Sequence, residues 1–280
     1  MSRLRADASR KLKYQLLLAS KFLLQNATFF GKRQTHSNVR VFVAGAQRSG
    51  TNMLMKVLER SFETDIYHEN NPRAFDNYLM RDTDVIWALV SKSRAPLFVI
   101  KALCELDRLV ELMDSFAPAR TIWIVRNFED VVNSALLSFK SLPGSVADIV
   151  TYRNREDWRC RGMSDTTFGL LRTLYHADID PASAVALFWY SRNILFFENH
   201  FDQDPNVLLV RYESLVSDAE RTFQKLFRFL GLKYSPRIVS NVFNSSVGRR
   251  PAPLIEPAVR DLCEELSRSF QRRIDKDGRF

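Results

Sequence analysis

From Val39 onward, short apolar runs alternate with longer stretches of helical periodicity. Val41, Phe42 and Val43 read as a buried strand, and Met53, Leu54, Met55, Val57 and Leu58 then suit a helix. Thr64–His68 predicts a short second strand, Asn71–Pro72 a break, and Arg73 to Val90 a helix with one polar face. Leu97–Lys101 predicts a third strand of buried type, followed by a helix over Glu105–Ser115 on the spacing of Leu106, Leu109, Val110 and Met113. Thr121–Arg126 predicts a fourth strand, Glu129–Ser138 a helix, and Asn206–Tyr212 a fifth strand. Phe223, Leu226, Phe227 and Leu230 mark a helix that stops at Gly231. A last helix starts at Pro257 and carries Val259, Leu262, Cys263, Leu266 and Phe270 on one face.

Continuous apolar strands separated by helices imply an α/β fold, a mainly parallel five-stranded sheet with helices on both faces. In such sheets ligands bind beyond the C-terminal strand ends. The residues there are Arg48, His68, Glu69, Lys101, Arg126 and Tyr212, most of them charged. Leu142–Ala182 contains no predicted strand, only a helix near Phe168–Tyr175, and reads as a lid-like excursion that walls the acceptor side. The chain thus divides into a basic N-terminal segment, residues 1–38, and a single domain, residues 39–280.

Between the first strand and its helix lies Gly45–Ala46–Gln47–Arg48–Ser49–Gly50–Thr51–Asn52. Strand, glycine-bounded loop and helix form a phosphate-binding unit, because the first helical N–H groups lack partners and the helix dipole favours an anion. Nucleoside triphosphatases place a lysine after the second glycine. Here Gly50 is followed by Thr51, and the positive charge sits earlier, at Arg48. The loop retains a phosphate cradle but lacks the lysine that reaches the far phosphates of ATP.

With 280 residues, 46% of them hydrophobic, the chain is long enough for one large core. The net charge of +9 suits an anionic ligand, substrate or surface. Cys104, Cys160 and Cys263 are scattered, fitting reduced thiols and a cytoplasmic location. The four histidines have no ligand-type spacing, so no metal is expected. The N-terminal Arg3–Arg33 is basic, with an apolar patch at Tyr14–Leu24 that is too short to span a bilayer. Two readings stand for it, an amphipathic helix on an anionic membrane and a helix packed on the domain.

Arg126 ends the fourth strand and Ser134 follows eight positions later in a helix. Both can face one pocket and hold one phosphate, the arginine by its fork and the serine by its hydroxyl. With this pair and the loop together, the chain resembles the sulfotransferases that use 3′-phosphoadenosine-5′-phosphosulfate (PAPS). The resemblance assigns Gln47, Arg48, Ser49, Gly50, Thr51 and Asn52 to the 5′-phosphosulfate, and Arg126 and Ser134 to the 3′-phosphate. It extends to Phe188–Trp189–Tyr190, which places Tyr190 near the adenine, and to Val210–Arg211–Tyr212–Glu213–Ser214–Leu215. Arg249 and Arg250 match a C-terminal phosphate-gripping segment only loosely.

In the branch of the family that sulfonates phenols and steroids, a lysine and a catalytic histidine lie two apart after the third strand. Lys101 fits the lysine, but Leu103 stands at the histidine position. The carbohydrate-modifying branches use a glutamate near the end of the second strand, where Glu69 stands. The resemblance therefore implies sulfuryl transfer to a hydroxyl or amine of a small molecule, glycan or lipid, with Glu69 as base and His68 as the alternative. Arg48 and Lys101 would stabilise the developing charge without a metal.

Two alternatives belong to other classes. A nucleotide-dependent P-loop kinase would need the loop lysine and a carboxylate for Mg²⁺, but Thr121–Arg126 ends in a cation. A non-catalytic polyanion binder would explain the charge but not cations at successive strand ends. Nucleic acid is not expected as a partner.

Overall fold

The computed structural model describes residues 19–21, 23–25, 27, 38–244 and 246–278. Its elements run β1 (Val39–Ala44), α1 (Thr51–Leu58), β2 (Thr64–Tyr67), β3 (Phe75–Asp76), β4 (Leu79–Met80), α2 (Thr83–Lys92), β5 (Leu97–Ala102) and α3 (Leu109–Ser115). Next come β6 (Ala119–Val125), α4 (Phe128–Ser138), α5 (Leu142–Tyr152), α6 (Asp165–Leu174), α7 (Pro181–Asn193) and α8 (Leu195–Glu198). β7 (Val207–Arg211), α9 (Tyr212–Ser217), α10 (Ala219–Leu230) and α11 (Pro257–Asp277) follow.

Five strands form one parallel sheet in the order β2-β5-β1-β6-β7. Strand alternation sends successive side chains to opposite faces. Phe42, Ile100, Trp123 and Val125 therefore enter the core shared with α4, α5, α7 and α11. Val41, Val43, Ile122 and Ile124 enter the core beneath α1, α9 and α10. Burial of both faces explains why the strands are apolar throughout. Strand order reverses on either side of β1, so the loops leaving β1 and β6 open a crevice at the C-terminal edge of the sheet.

Three expectations are corrected in detail. The helix read over Arg73–Val90 starts only at Thr83, and the residues before it form the β3–β4 hairpin. Phe75 is buried, and the hairpin is tied back by Arg81 N to Ala74 O (2.9 Å) and by Met80 N to Glu105 Oε1 (2.8 Å). Its turn holds Asn77 and Tyr78 in the left-handed region, at φ 46° and 67°. The helix read over Glu105–Ser115 begins at Leu109. The excursion from Leu142 holds two helices, α5 and α6, where one had been expected.

Candidate active site

β1 delivers the chain to Gly45, whose φ of +134° and close approach to the Ile124 carbonyl leave no room for a side chain. Arg48 is itself left-handed, at φ 69°, and the turn closes through Ser49 N to Ala46 O (3.2 Å). Gly50 is the N-cap of α1, and no side chain caps that helix end. Its amides therefore face the crevice as free donors for an anion. Among the described residues, the buried Ser49 Oγ and Gln47 Oε1 also have no partner.

Arg126, at the end of β6, is nearly buried and braces the loop by donating Nη1–H to Arg48 O at 3.2 Å. Its Nη2 donates to Ser246 O at 2.6 Å and lies 3.5 Å from Asp130 Oδ2, while Nε has no partner among the described residues. The guanidinium sits 4.5 Å from the ring centroid of Tyr212. That ring lies directly against Gly50, and its hydroxyl is 2.6 Å from Ser246 Oγ. Tyr212 thus connects the loop, the strand-end arginine and the segment before Arg249 and Arg250. Asp130 accepts from Gly248 N at 3.2 Å and fixes that segment further. Ser134 accepts from Arg48 Nε at 2.9 Å, so the loop arginine and the helix serine are neighbours.

On the other side of the loop, Lys101 Nζ lies 2.6 Å from Glu69 Oε2 and donates to Asn52 Oδ1 at 2.8 Å. The lysine side chain is 1% exposed and the glutamate 28%. Burial pushes the Lys101 ammonium down, and its hydrogen bond to Glu69 opposes the shift. The pair holds one carboxylate at the crevice wall in a fixed orientation. Leu103 lines the same wall, and its carbonyl accepts from the fully buried Arg192, which also donates to Trp158 O at 2.8 Å. Arg192 thereby fastens the excursion to the end of β5.

One cleft of about 1590 Å³ gathers Gln47, Arg48, Gly50, Thr51, Asn52, Glu69, Lys101, Arg126, Ser134, Arg249 and Arg250. Among the described residues, nine lysines and arginines line it against four carboxylates, a balance suited to a multiply charged anion. Three sequence-predicted residues fall outside the lining. Ser49 is wholly buried under the loop. His68 turns toward Glu59, 3.6 Å from Oε1, because successive residues after a strand face opposite ways. Tyr190 packs against the core, where burial raises its hydroxyl pKa, and Phe188 lines the cleft instead.

Asp130 and Arg192 were not recognised from the sequence. Asp130 was visible only as a helix residue four places after Arg126, and Arg192 carried no signal at all.

The sulfotransferase domain pattern matches residues 38–247, three quarters of the chain. Among curated proteins no sequence relative matches. Of solved structures, the sulfotransferase domain from the curacin biosynthetic pathway is similar at a TM-score of 0.51 and 13% identity, covering 81% of this chain and 96% of that one. The sulfotransferase from Alicyclobacillus acidocaldarius gives 0.47 and 17%, with 85% and 93% covered. Mouse sulfotransferase SULT7A1, complexed with PAP, gives 0.41 and 17%, with 75% and 65% covered. The match over most of the chain, on a parallel sheet whose strand-end loops meet in one basic cleft, means that this chain belongs to the sulfotransferase family.

Proposed function

We propose that this sulfotransferase takes PAPS as donor and a hydroxyl or amine of a carbohydrate or glycolipid as acceptor. The observation that carries the reading is the Glu69–Lys101 pair, which shares one cleft with the phosphate loop and Arg126. The residues fit the donor: Arg126, which lines the cleft, carries a buried Nε–H with no partner among the described residues, and no side chain caps the α1 N-terminus. When bound, PAPS supplies the sulfuryl group. Arg126, Ser134, Arg249 and Arg250 would hold its 3′-phosphate, and Arg48 with the loop amides its 5′ end. Glu69 takes the proton that the acceptor gives up on attack, and Lys101 keeps that carboxylate in position. Asn52, placed by sequence with the donor, orients Lys101 through its side-chain oxygen.

Arg126→Ala is expected to weaken PAPS binding by about 1.5–3 kcal/mol, the scale of a hydrogen bond to a charged group. Adenosine-5′-phosphosulfate, which has no 3′-phosphate, should lose much less. Calorimetry with both ligands checks this, and equal losses would remove Arg126 from the 3′-phosphate site. The acceptor class is tested by incubation with ³⁵S-labelled PAPS and separate glycan, lipid and phenol extracts. Label appearing only in phenols would reject the carbohydrate reading.

A cytoplasmic location with peripheral membrane contact is part of the same proposal, supported by three free, buried cysteines and by the basic N-terminal composition. Much of residues 1–38 lies outside the described residues. Within them, Lys21 Nζ donates to Glu59 O and Thr64 Oγ1, and Gln25 Nε2 donates to Phe62 O. The neighbouring Leu23 and Leu24 remain 67% and 54% exposed. Removing residues 1–33 should therefore lower the thermal midpoint, abolish sedimentation with anionic vesicles and leave PAPS affinity within about twofold. Loss of nucleotide binding would make the segment part of the donor site.

A further inference from the structure

The cleft changes character from its floor to its rim. Lys101 at the floor is almost inaccessible, whereas Tyr78, Leu79, Leu137 and Phe139 line the same cleft at 64%, 39%, 58% and 40% exposure. Four large apolar side chains around one concavity make a surface that a ligand with an apolar part would cover.

The β3–β4 hairpin adds an independent observation. Two-residue turns with both central residues left-handed favour Asn followed by Gly. Asn77 fits, but the glycine position is Tyr78, at φ 67°. A tyrosine there is strained, and strain of this kind collects at functional positions. Packing does not account for it, because the ring is mostly exposed and, among the described residues, its hydroxyl makes no hydrogen bond. The strands on either side are anchored through Met80 N to Glu105 and Arg81 N to Ala74 O, so the turn presents Tyr78 from a fixed base.

We infer that Tyr78, with Leu79 and Leu137, determines acceptor specificity by covering the apolar body of an amphipathic acceptor whose hydroxyl-bearing head reaches Glu69. This rests on the sulfotransferase reading of the cleft. An apolar body of this kind occurs on a glycolipid and on an alkylated phenol, and the two heads are told apart by experiment.

The full chain loaded with PAP is titrated with methyl, butyl and octyl β-glucoside below micelle-forming concentrations, and with 4-butylphenol and 4-octylphenol. Affinity should rise with chain length in at least one series, by up to about fourfold per methylene buried. The series that binds more tightly identifies the head. In Tyr78→Gly the rise should shrink to under about twofold across the series, while PAP affinity is unchanged. The thermal midpoint of that variant should stay level or increase, because glycine relieves the left-handed strain. Joint loss of chain-length dependence and retention of stability is the signature that a purely structural tyrosine would not give. Chain-independent affinity, no binding in either series, or a dependence that survives Tyr78→Gly would overturn the proposal. Failure of the unaltered protein to bind PAP would instead strike the donor reading, and this proposal with it.

Discussion

Glu69→Gln is expected to slow sulfuryl transfer by about 10²–10⁴-fold, the usual contribution of a positioned base. Glutamine keeps the size of the side chain and an oxygen for Lys101 Nζ, which now lies 2.6 Å from Oε2. Basicity is lost, while the phosphate-binding groups on β1 and β6 are untouched, so PAPS affinity should stay within a few-fold. A fall in kcat without a matching change in donor affinity would locate the loss in the chemical step. His68→Asn should do little, because the imidazole faces Glu59 and does not line the cleft. If His68→Asn abolishes turnover and Glu69→Gln does not, the base is the histidine. If neither matters, the carbohydrate-type mechanism loses its main support.

Gly50→Ala should damage donor binding and the fold together. An added Cβ would lie 2.5 Å from Tyr212 Cε2 and closer still to Cδ2, at a residue with φ +98°. Overpacking and left-handed strain together cost about 2–4 kcal/mol. For a chain of this size that lowers the thermal midpoint by roughly 5–15 °C. Tyr212 also lies under Arg126 and bonds toward Ser246, so its displacement would disturb the 3′-phosphate side as well as the loop. PAPS affinity should fall by more than about tenfold. Gly50→Ala with Tyr212→Leu should cost less than the sum of the two single changes, because the leucine frees the space that the methyl needs. Strict additivity would mean that the glycine is required for its backbone alone.

The strands were readable because burial on both faces leaves an apolar run that no other element explains. The same holds for α10 and α11, whose amphipathic spacing is a local property of the chain. The phosphate loop was readable because its glycines and its place between strand and helix are all contiguous. Arg126 and Ser134 are legible because one closes an apolar strand and the other lies about two turns into the helix that follows it directly.

The remainder depended on contacts between distant segments. α7 is buried on nearly every side, so it has no polar face to set its period, and its Arg192 is accommodated by the carbonyls of Leu103 and Trp158. The β3–β4 hairpin replaced a predicted helix because Glu105, on the far side of α2 and β5, supplies the acceptor that Met80 N needs. Both His68 and Glu69 follow β2, and composition does not rank them. Tertiary structure separates them, since Lys101 at the end of β5, itself held by Asn52 on α1, pairs with the glutamate while Glu59 lies beside the histidine. The individual strands, the phosphate loop and the cations at the strand ends are legible from the chain alone, because each is written in consecutive residues. Which of the two residues after β2 lines the cleft, and which aromatic side chains join it there, depends on packing among segments far apart in the chain.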